Sequence, residues 1–138
     1  DIEAEAAALA ALSVEMIEQP VPVGQDALLD GIKSPIPLLA DESCQSRSDL
    51  ALCARYYDGI NIKLDKAGGL TEALAMAREA EARGLKLMVG CMLSTSLGIS
   101  PAFLVAQGAL WVDLDGPILL AEDREDGFRF EKGMILPA

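Results

Sequence analysis

Short apolar segments alternate with helical segments along this chain, and this order constrains its fold more than any other feature. Near-continuous apolar strands separated by helices are typical of a parallel sheet covered by helices. We therefore predict an α/β fold of parallel strands alternating with helices. Strands are predicted at residues 14–18, 36–41, 59–63, 85–90 and 110–116, and helices at 2–12, 25–32, 46–56, 71–83 and 97–107.

Two parallel architectures fit five such units, a doubly wound open sheet and part of a (β/α)8 barrel. The glycine-rich GxGxxG loop that favours the first is missing after the first strand. Charged groups instead follow the ends of four of the five strands, and in a barrel these ends face one site. Helix caps and turns also place carboxylates after strands, so that simpler interpretation stays open. The polar strand-end residues are Glu18, Asp41, Glu42, Lys63, Cys91, Asp113 and Asp115.

Composition limits the chemistry that this chain can perform. Its 138 residues predict one domain. The net charge of -11 argues against nucleic acid and anionic membranes as partners. The chain contains no histidine. A base must therefore be Lys, Glu, Asp, Tyr or Cys, and we expect a metal to be held by oxygen ligands.

The sequence also bears on the compartment. No apolar run is long enough to cross a membrane, and the first residues lack the basic segment of a secretory signal. The three cysteines, Cys44, Cys53 and Cys91, have no CxxC spacing. We therefore expect reduced thiols in a cytoplasm.

A lysine ends the apolar strand at residues 59–63. A buried ammonium is costly unless it is paired, so Lys63 is either a surface residue or a chemical group tuned by its surroundings. Lys66 is predicted to lie at the surface or in a loop. Gly68 and Gly69 are predicted to allow a tight turn before the next helix.

Each predicted strand carries one short motif: IEQP at 17–20, ADES at 40–43, NIKLDKAGG at 61–69, MVGCM at 88–92 and VDLDGP at 112–117. These five motifs resemble the muconate lactonizing subgroup of the enolase superfamily, and within it the dipeptide epimerases. The resemblance implies that residues 1–120 form the C-terminal half of a (β/α)8-type barrel. Residues 121–138 would then form a hairpin or a return segment toward a capping domain.

The resemblance implies an isomerase that moves a proton at the carbon next to a carboxylate, through an enediolate stabilised by Mg²⁺. Glu18 and Asp41 match the second and third metal ligands of the family, and oxygen ligands suit Mg²⁺. Lys63 matches the base on one face of the substrate, with a pKa lowered by burial near the metal. Glu42 matches a position that supports Lys63. The alternatives are a Glu18–lysine pair, an Asp41 helix cap and a solvated Lys63.

The pair Asp113 and Asp115 resembles the clamp that dipeptide epimerases place on the substrate α-ammonium. Strand alternation points both carboxylates the same way, although a turn with solvent-facing acids remains the alternative. Cys91 and Met92 are expected to line the substrate pocket or to pack in the core. Residue 94 is a serine where many relatives have a carboxylate, which bears on side-chain specificity.

The family's first metal-ligand aspartate, its opposite-face lysine and its capping domain have no counterpart here and are expected upstream of Asp1. The chain is therefore expected to need the N-terminal half or a homo-oligomer. Other activities of the subgroup remain alternatives, namely N-acylamino acid racemase and o-succinylbenzoate synthase. A further alternative is a half-barrel fragment that binds a metal or a partner without turnover.

Overall fold

The computed structural model describes residues 1–137, and Ala138, the last residue of the predicted hairpin, lies outside this part. Five strands form one parallel sheet in chain order, and the last two strands form a separate antiparallel hairpin. The strands are β1 (Ile17–Glu18), β2 (Leu38–Ala40), β3 (Gly59–Lys63), β4 (Lys86–Gly90), β5 (Trp111–Asp113), β6 (Arg129–Glu131) and β7 (Met134–Leu136). The helices are α1 (Ile2–Ala11), α2 (Leu50–Tyr56), α3 (Leu64–Ala67), α4 (Leu70–Ala82) and α5 (Ser96–Ala106).

Helix α4 shows how sequence determines an element in this fold. Its Leu, Glu, Ala, Met and Arg residues favour a helix, and Ala73, Met76 and Ala80 recur at helical spacing and are buried. Before the helix, Gly68 and Gly69 have φ of +89° and +116°, in the range that favours glycine. The predicted helix and the predicted glycine turn are confirmed.

Two predicted elements differ from the structure, and one helix was not predicted. The strand predicted at 14–18 is reduced to Ile17–Glu18. The N–H groups of Ser13 and Val14 still donate to carbonyls at the end of α1, and the first residue that pairs with β2 is Ile17. The helix predicted at 25–32 is a single 3-10 turn, Asp26–Leu29. Helix α3 was not predicted, and it begins directly after Lys63.

The sheet separates two kinds of interior. Ile60 and Ile62 pack against the helices in the main hydrophobic core. Because side chains alternate along a strand, Asn61 and Lys63 point to the opposite face. The register aligns Asn61 with Met88, which is also buried. The opposite face is therefore a second interior layer, and it is polar toward the carboxyl end of β3.

The sheet curls strongly. β1 and β5 lie at its two edges, yet the indole Nε1 of Trp111 donates to Glu15 Oε2 at 3.0 Å. This bond joins the start of the last strand of the sheet to the residue shortly before the first. The five strands therefore form a curled half-barrel with helices outside, as predicted. Within residues 1–137, none of the helices combines the length and the apolar character that a membrane crossing requires.

Candidate active site

Three predicted site residues meet at the carboxyl ends of adjacent parallel strands. Glu18 ends β1, Asp41 follows β2 and Lys63 ends β3. Lys63 Nζ donates to Asp41 Oδ2 at 2.6 Å and lies 3.9 Å from Glu18 Oε1. The side chains of Lys63 and Asp41 are 15% and 8% exposed, so this ion pair is largely screened from water.

The two carboxylates have different electrostatic surroundings. Burial favours the neutral form of Asp41, but hydrogen bonds from Lys63 and Lys66 outweigh it and lower its pKa. Burial raises the pKa of Glu18, and the neighbouring Asp41 adds to this rise against a hydrogen bond from Asn61. Asp41 is therefore the more firmly ionised of the two.

Lys66 is not at the surface, and that prediction is wrong. Its side chain is 6% exposed, and Nζ lies 2.5 Å from Asp41 Oδ1. It also contacts the backbone carbonyls of Asp41 and Asn61, at 2.6 Å and 3.3 Å. Helix α3 causes this placement, because residues three apart lie on one helical face. Asp41 therefore holds one lysine on each carboxylate oxygen.

The pKa of Lys63 also differs from the expectation. Burial lowers it, as predicted, but the hydrogen bond and charge of Asp41 and the charge of Glu18 outweigh burial, and the pKa is raised. The lysine is the counter-ion of the carboxylates that surround it. Lowering this pKa requires a positive charge that competes for the same carboxylates.

Asn61 on β3 holds the Glu18 carboxylate through a hydrogen bond. Its Nδ2 donates to Glu18 Oε1 at 2.6 Å, and the residue is 1% exposed. Gly90 leaves room for this amide, because a Cβ there would lie 2.8 Å from both Asn61 amide atoms and 3.1 Å from Lys63 Cε. Asn61 Oδ1 has no hydrogen-bond partner among the described residues.

The donors at this site fit part of a magnesium site. Glu18 and Asp41 offer carboxylate oxygens, the donors that Mg²⁺ prefers, on neighbouring strand ends. No group of three Asp, Glu, Cys or His side chains within residues 1–137 is arranged to hold a metal. The two carboxylates therefore suit an incomplete ligand set. A cation on Asp41 would compete with Lys63 or Lys66.

The other predicted residues of this group follow the ends of two strands, Glu42 after β2 and Cys91 and Met92 after β4. Glu42 is exposed, and its charge contributes to the raised pKa of Lys63. Cys91 is half-buried, and burial raises the pKa of its thiol. Met92 is 45% exposed. A Cβ on Gly116 would lie 2.8 Å from Met92 O and 3.2 Å from Cys91 Sγ, so the turn after β5 packs on these residues. Their proposed roles stay predictions.

Asp113 and Asp115 lie on one side of the chain. Both are exposed, whereas Leu114 between them is 1% exposed. Local burial raises the pKa of Asp113, the charge of Asp115 raises it further, and the charge of Lys63 lowers it. The two carboxylates are therefore close to each other and within electrostatic reach of Lys63. Their role as an ammonium clamp stays a prediction.

Two residues of the network, Asn61 and Lys66, were not predicted to belong to the site, although both leave a signal. Asn61 stands two residues before Lys63 in one strand, so the two share a face. Lys66 stands three residues after Lys63, at helical spacing. Either spacing could have identified the residue.

Nearly the whole chain matches one protein family. The profile of the enolase C-terminal domain-like family covers residues 3–138. The chain belongs to this family. It is 50% identical over 127 residues to the L-Ala-D/L-Glu epimerase of Escherichia coli strain K12, covering 92% of this chain and 40% of the relative. It is 47% identical over 137 residues to the N-acetyl-D-glutamate racemase of a Pseudoalteromonas species, covering 99% and 44%.

Two solved structures of family members show the same arrangement of the chain. An enolase family member from Agrobacterium tumefaciens, with homology to dipeptide epimerases and with bound sodium and L-Ala-L-Glu, has a TM-score of 0.95 at 55% identity; 99% of this chain and 42% of that chain are covered. A dipeptide epimerase from Methylococcus capsulatus, complexed with Mg ion, has a TM-score of 0.84 at 35% identity, covering 94% and 40%.

The chain spans about two fifths of the length of the curated relatives that it matches. This chain therefore corresponds to the C-terminal part of the barrel in the enolase-family fold. Activity, substrate and metal are properties of the whole protein.

Proposed function

We propose that this chain supplies the C-terminal barrel part of a dipeptide epimerase, an isomerase that inverts the carbon next to a carboxylate. One observation carries the proposal: Lys63 Nζ lies 2.6 Å from Asp41 and 3.9 Å from Glu18, at three successive strand ends. A base beside two metal-type carboxylates is the arrangement that abstraction of an α-proton needs. The same pairing is already known for the enolase superfamily, whose enzymes use a lysine or histidine base with Mg²⁺.

Lys63 is assigned as the proton carrier on one face of the substrate. Its neutral Nζ would accept the α-proton, and its ammonium form would return a proton to the same face. Glu18 and Asp41 would hold Mg²⁺, which when bound stabilises the negative charge that develops on the substrate carboxylate. Asn61 and Lys66 would hold these two carboxylates in place through the bonds described above. The magnesium-bound relative supports the choice of metal.

Asp113 and Asp115 are assigned as the receptor for the free amino terminus of the dipeptide. Two adjacent carboxylates concentrate negative charge, and the raised pKa of Asp113 reflects burial and the repulsion from Asp115. An ammonium placed between them would relieve this repulsion. The relative with bound L-Ala-L-Glu supports a dipeptide as substrate.

A second candidate is racemisation of an N-acylated amino acid. The relative that is 47% identical over 137 residues is an N-acetyl-D-glutamate racemase. Such a substrate has no ammonium and makes no use of a carboxylate pair. The exposed aspartates therefore favour the dipeptide, and the similarity to this racemase makes the acylated substrate the alternative to test.

The upstream ligand, the opposite-face base and the cap are proposed to come from the rest of the protein. Within residues 1–137, the outer edges of β1 and β5 pair with no other strand, which supports a partner that completes the barrel, either the N-terminal half or a second copy. We also place the protein in the cytoplasm, since all three cysteines are free thiols.

The test uses the complete protein that contains this chain. L-Ala-L-Glu and N-acetyl-L-glutamate are supplied separately with Mg²⁺, and inversion is followed by polarimetry. Preferred turnover of the free dipeptide supports the proposal. Preferred turnover of the acetylated amino acid supports the second candidate, and no turnover of either contradicts both.

A further inference from the structure

We infer that Gln19 is a positioning residue that fixes Asp41 relative to Glu18, an inference that rests on the proposed function. Gln19 directly follows Glu18 at the end of β1. Its φ is +43°, in the left-handed region that residues other than glycine seldom adopt. A non-glycine residue persists there when its surroundings hold it, and the side chain of Gln19 shows what holds it.

The side chain of Gln19 replaces a missing bond of the parallel ladder. The backbone N–H of Gln19 donates to Leu39 O at 2.8 Å. In a regular ladder, the N–H of Asp41 would next donate to the backbone carbonyl of Gln19. Here Gln19 Oε1 accepts that bond at 2.9 Å and a second bond from the N–H of Ser43 at 3.1 Å. The side chain therefore extends the pairing of β1 and β2 to Asp41 itself.

The nitrogen of the same amide is also fully engaged. Gln19 Nε2 lies 2.8 Å from Val21 O, 2.9 Å from Ser43 Oγ and 3.2 Å from Tyr57 OH. The Tyr57 hydroxyl in turn donates to Asp26 Oδ1 at 2.6 Å. Both ends of the amide are thus tied, so its orientation is fixed by a network that continues to a buried carboxylate.

This placement has a consequence for metal binding. Two carboxylates that share one cation must be held at a set separation, and Gln19 joins the strand end that carries Glu18 to the strand end that carries Asp41. Lys66 anchors the Asp41 carboxylate, and its hydrogen bonds within residues 1–137 go to Asp41 and Asn61, not to β1. Removing a group that orients metal ligands typically lowers metal affinity about 10–100-fold. Gln19 should matter on this scale without touching metal or substrate.

The experiment compares the complete wild-type protein with Gln19→Met, which nearly keeps the side-chain length and removes the amide. Gln45→Met is the matched control, because Gln45 is exposed and its amide donates to the Glu42 carbonyl at 2.9 Å. Calorimetry gives the Mg²⁺ dissociation constant. Amide hydrogen exchange without metal reports on the N–H groups of Asp41 and Ser43. Turnover is measured against Mg²⁺ concentration.

Gln19→Met should bind Mg²⁺ about tenfold or more weakly, with faster exchange at both amides. Saturating Mg²⁺ should restore kcat toward the wild-type value, and Gln45→Met should match wild type. Should Gln19→Met not fold, Gln19→Asn keeps an amide that suits the left-handed backbone but is one methylene too short, and it should show the same weakening.

Two results overturn the inference in distinguishable ways. If the wild-type protein binds Mg²⁺ and the variant binds it equally well, Gln19 has only a structural role and the proposed function stands. If the wild-type protein does not bind Mg²⁺, the proposed function falls and the inference falls with it.

Discussion

Charged side chains lie at two places along the curled sheet, which we call the β1–β3 end and the β5 end. The two ends hold their charged side chains differently. At the end of β2, the side chain of Asp41 is 8% exposed and accepts bonds from Lys63 and Lys66. At the end of β5, Asp113 and Asp115 are exposed, beside a groove that is also lined by the β6–β7 hairpin. The first end is organised by bonds within this chain. The second end is open to a ligand or to further protein.

This difference has an electrostatic cause. Charges buried at the β1–β3 end must be paired, because an isolated charge in the interior is costly. Asp113 and Asp115 keep contact with water, so two carboxylates can stand side by side, although partial burial and the charge of Asp115 raise the pKa of Asp113. A site that moves protons needs the first kind of environment, and a site that receives a cationic group can use the second.

The largest expected effect comes from removing Asp41. Asp41→Ala leaves the ammonium groups of Lys63 and Lys66 buried without their carboxylate, and breaking a buried pair costs about 3–5 kcal/mol. Asp113→Ala removes an exposed carboxylate and should change stability by less than about 0.5 kcal/mol. Urea denaturation of the complete protein measures both. Equal losses of unfolding free energy in the two variants would contradict the proposed difference between the two ends.

The second prediction concerns substrate recognition at the β5 end. If the pair receives the substrate ammonium as proposed, Asp113→Asn or Asp115→Asn removes one opposing charge, which costs about 2–5 kcal/mol once the charges are desolvated. The kcat/KM for free dipeptides should fall well over tenfold. N-acetylated dipeptides have no ammonium and should lose little. If both substrates are affected alike, the pair is a turn and not a receptor.

The third prediction concerns the hydrogen bonds that continue from Gln19 through Tyr57 to Asp26. Burial raises the pKa of Asp26, but bonds from Ser43 and Tyr57 outweigh it and hold the pKa below its usual value. A lowered pKa stabilises the fold above the unfolded pKa, and this stability is lost as pH falls. Tyr57→Phe should cost about 1.5–3 kcal/mol at neutral pH and should flatten the loss of stability below about pH 4. Urea midpoints at several pH values test this, and an unchanged acid slope would contradict it.

The fourth prediction is the smallest. Gly90→Ala places a Cβ 2.8 Å from the buried amide of Asn61 and should cost about 1–3 kcal/mol through overpacking. Gly108→Ala is the matched control, because a Cβ there meets nothing within 4 Å. Thermal unfolding of both variants gives the comparison. A Gly90→Ala protein as stable as the control would show that Asn61 is free to move.

Much of this fold follows from local patterns. The strands around Lys63 and the helix that buries Met76 were predictable, because apolar periodicity records which face is covered. The length of β1 was not predictable. This edge strand pairs only with β2, through two residue pairs, and such a short pairing leaves little apolar periodicity in the sequence.

In the candidate site, the charged residues at strand ends were easier to predict than the residues that support them. Glu18, Asp41 and Lys63 stand at strand ends, which motif order indicates. Lys66 was misplaced because helix α3, which carries it, was not predicted; its spacing from Lys63 indicates a shared face only where a helix follows the strand. Gln19 depends on a left-handed backbone and on bonds to residues more than twenty positions away, which no local pattern encodes.

The central claim is that Lys63 carries the proton on one face of the substrate. Its most direct test is deuterium incorporation from D₂O into each isomer of the dipeptide, with the complete protein bearing Lys63→Ala. We expect exchange to be lost from one isomer and retained by the other, with Mg²⁺ binding intact. Equal loss from both isomers, with Mg²⁺ still bound, would contradict a one-face base at Lys63.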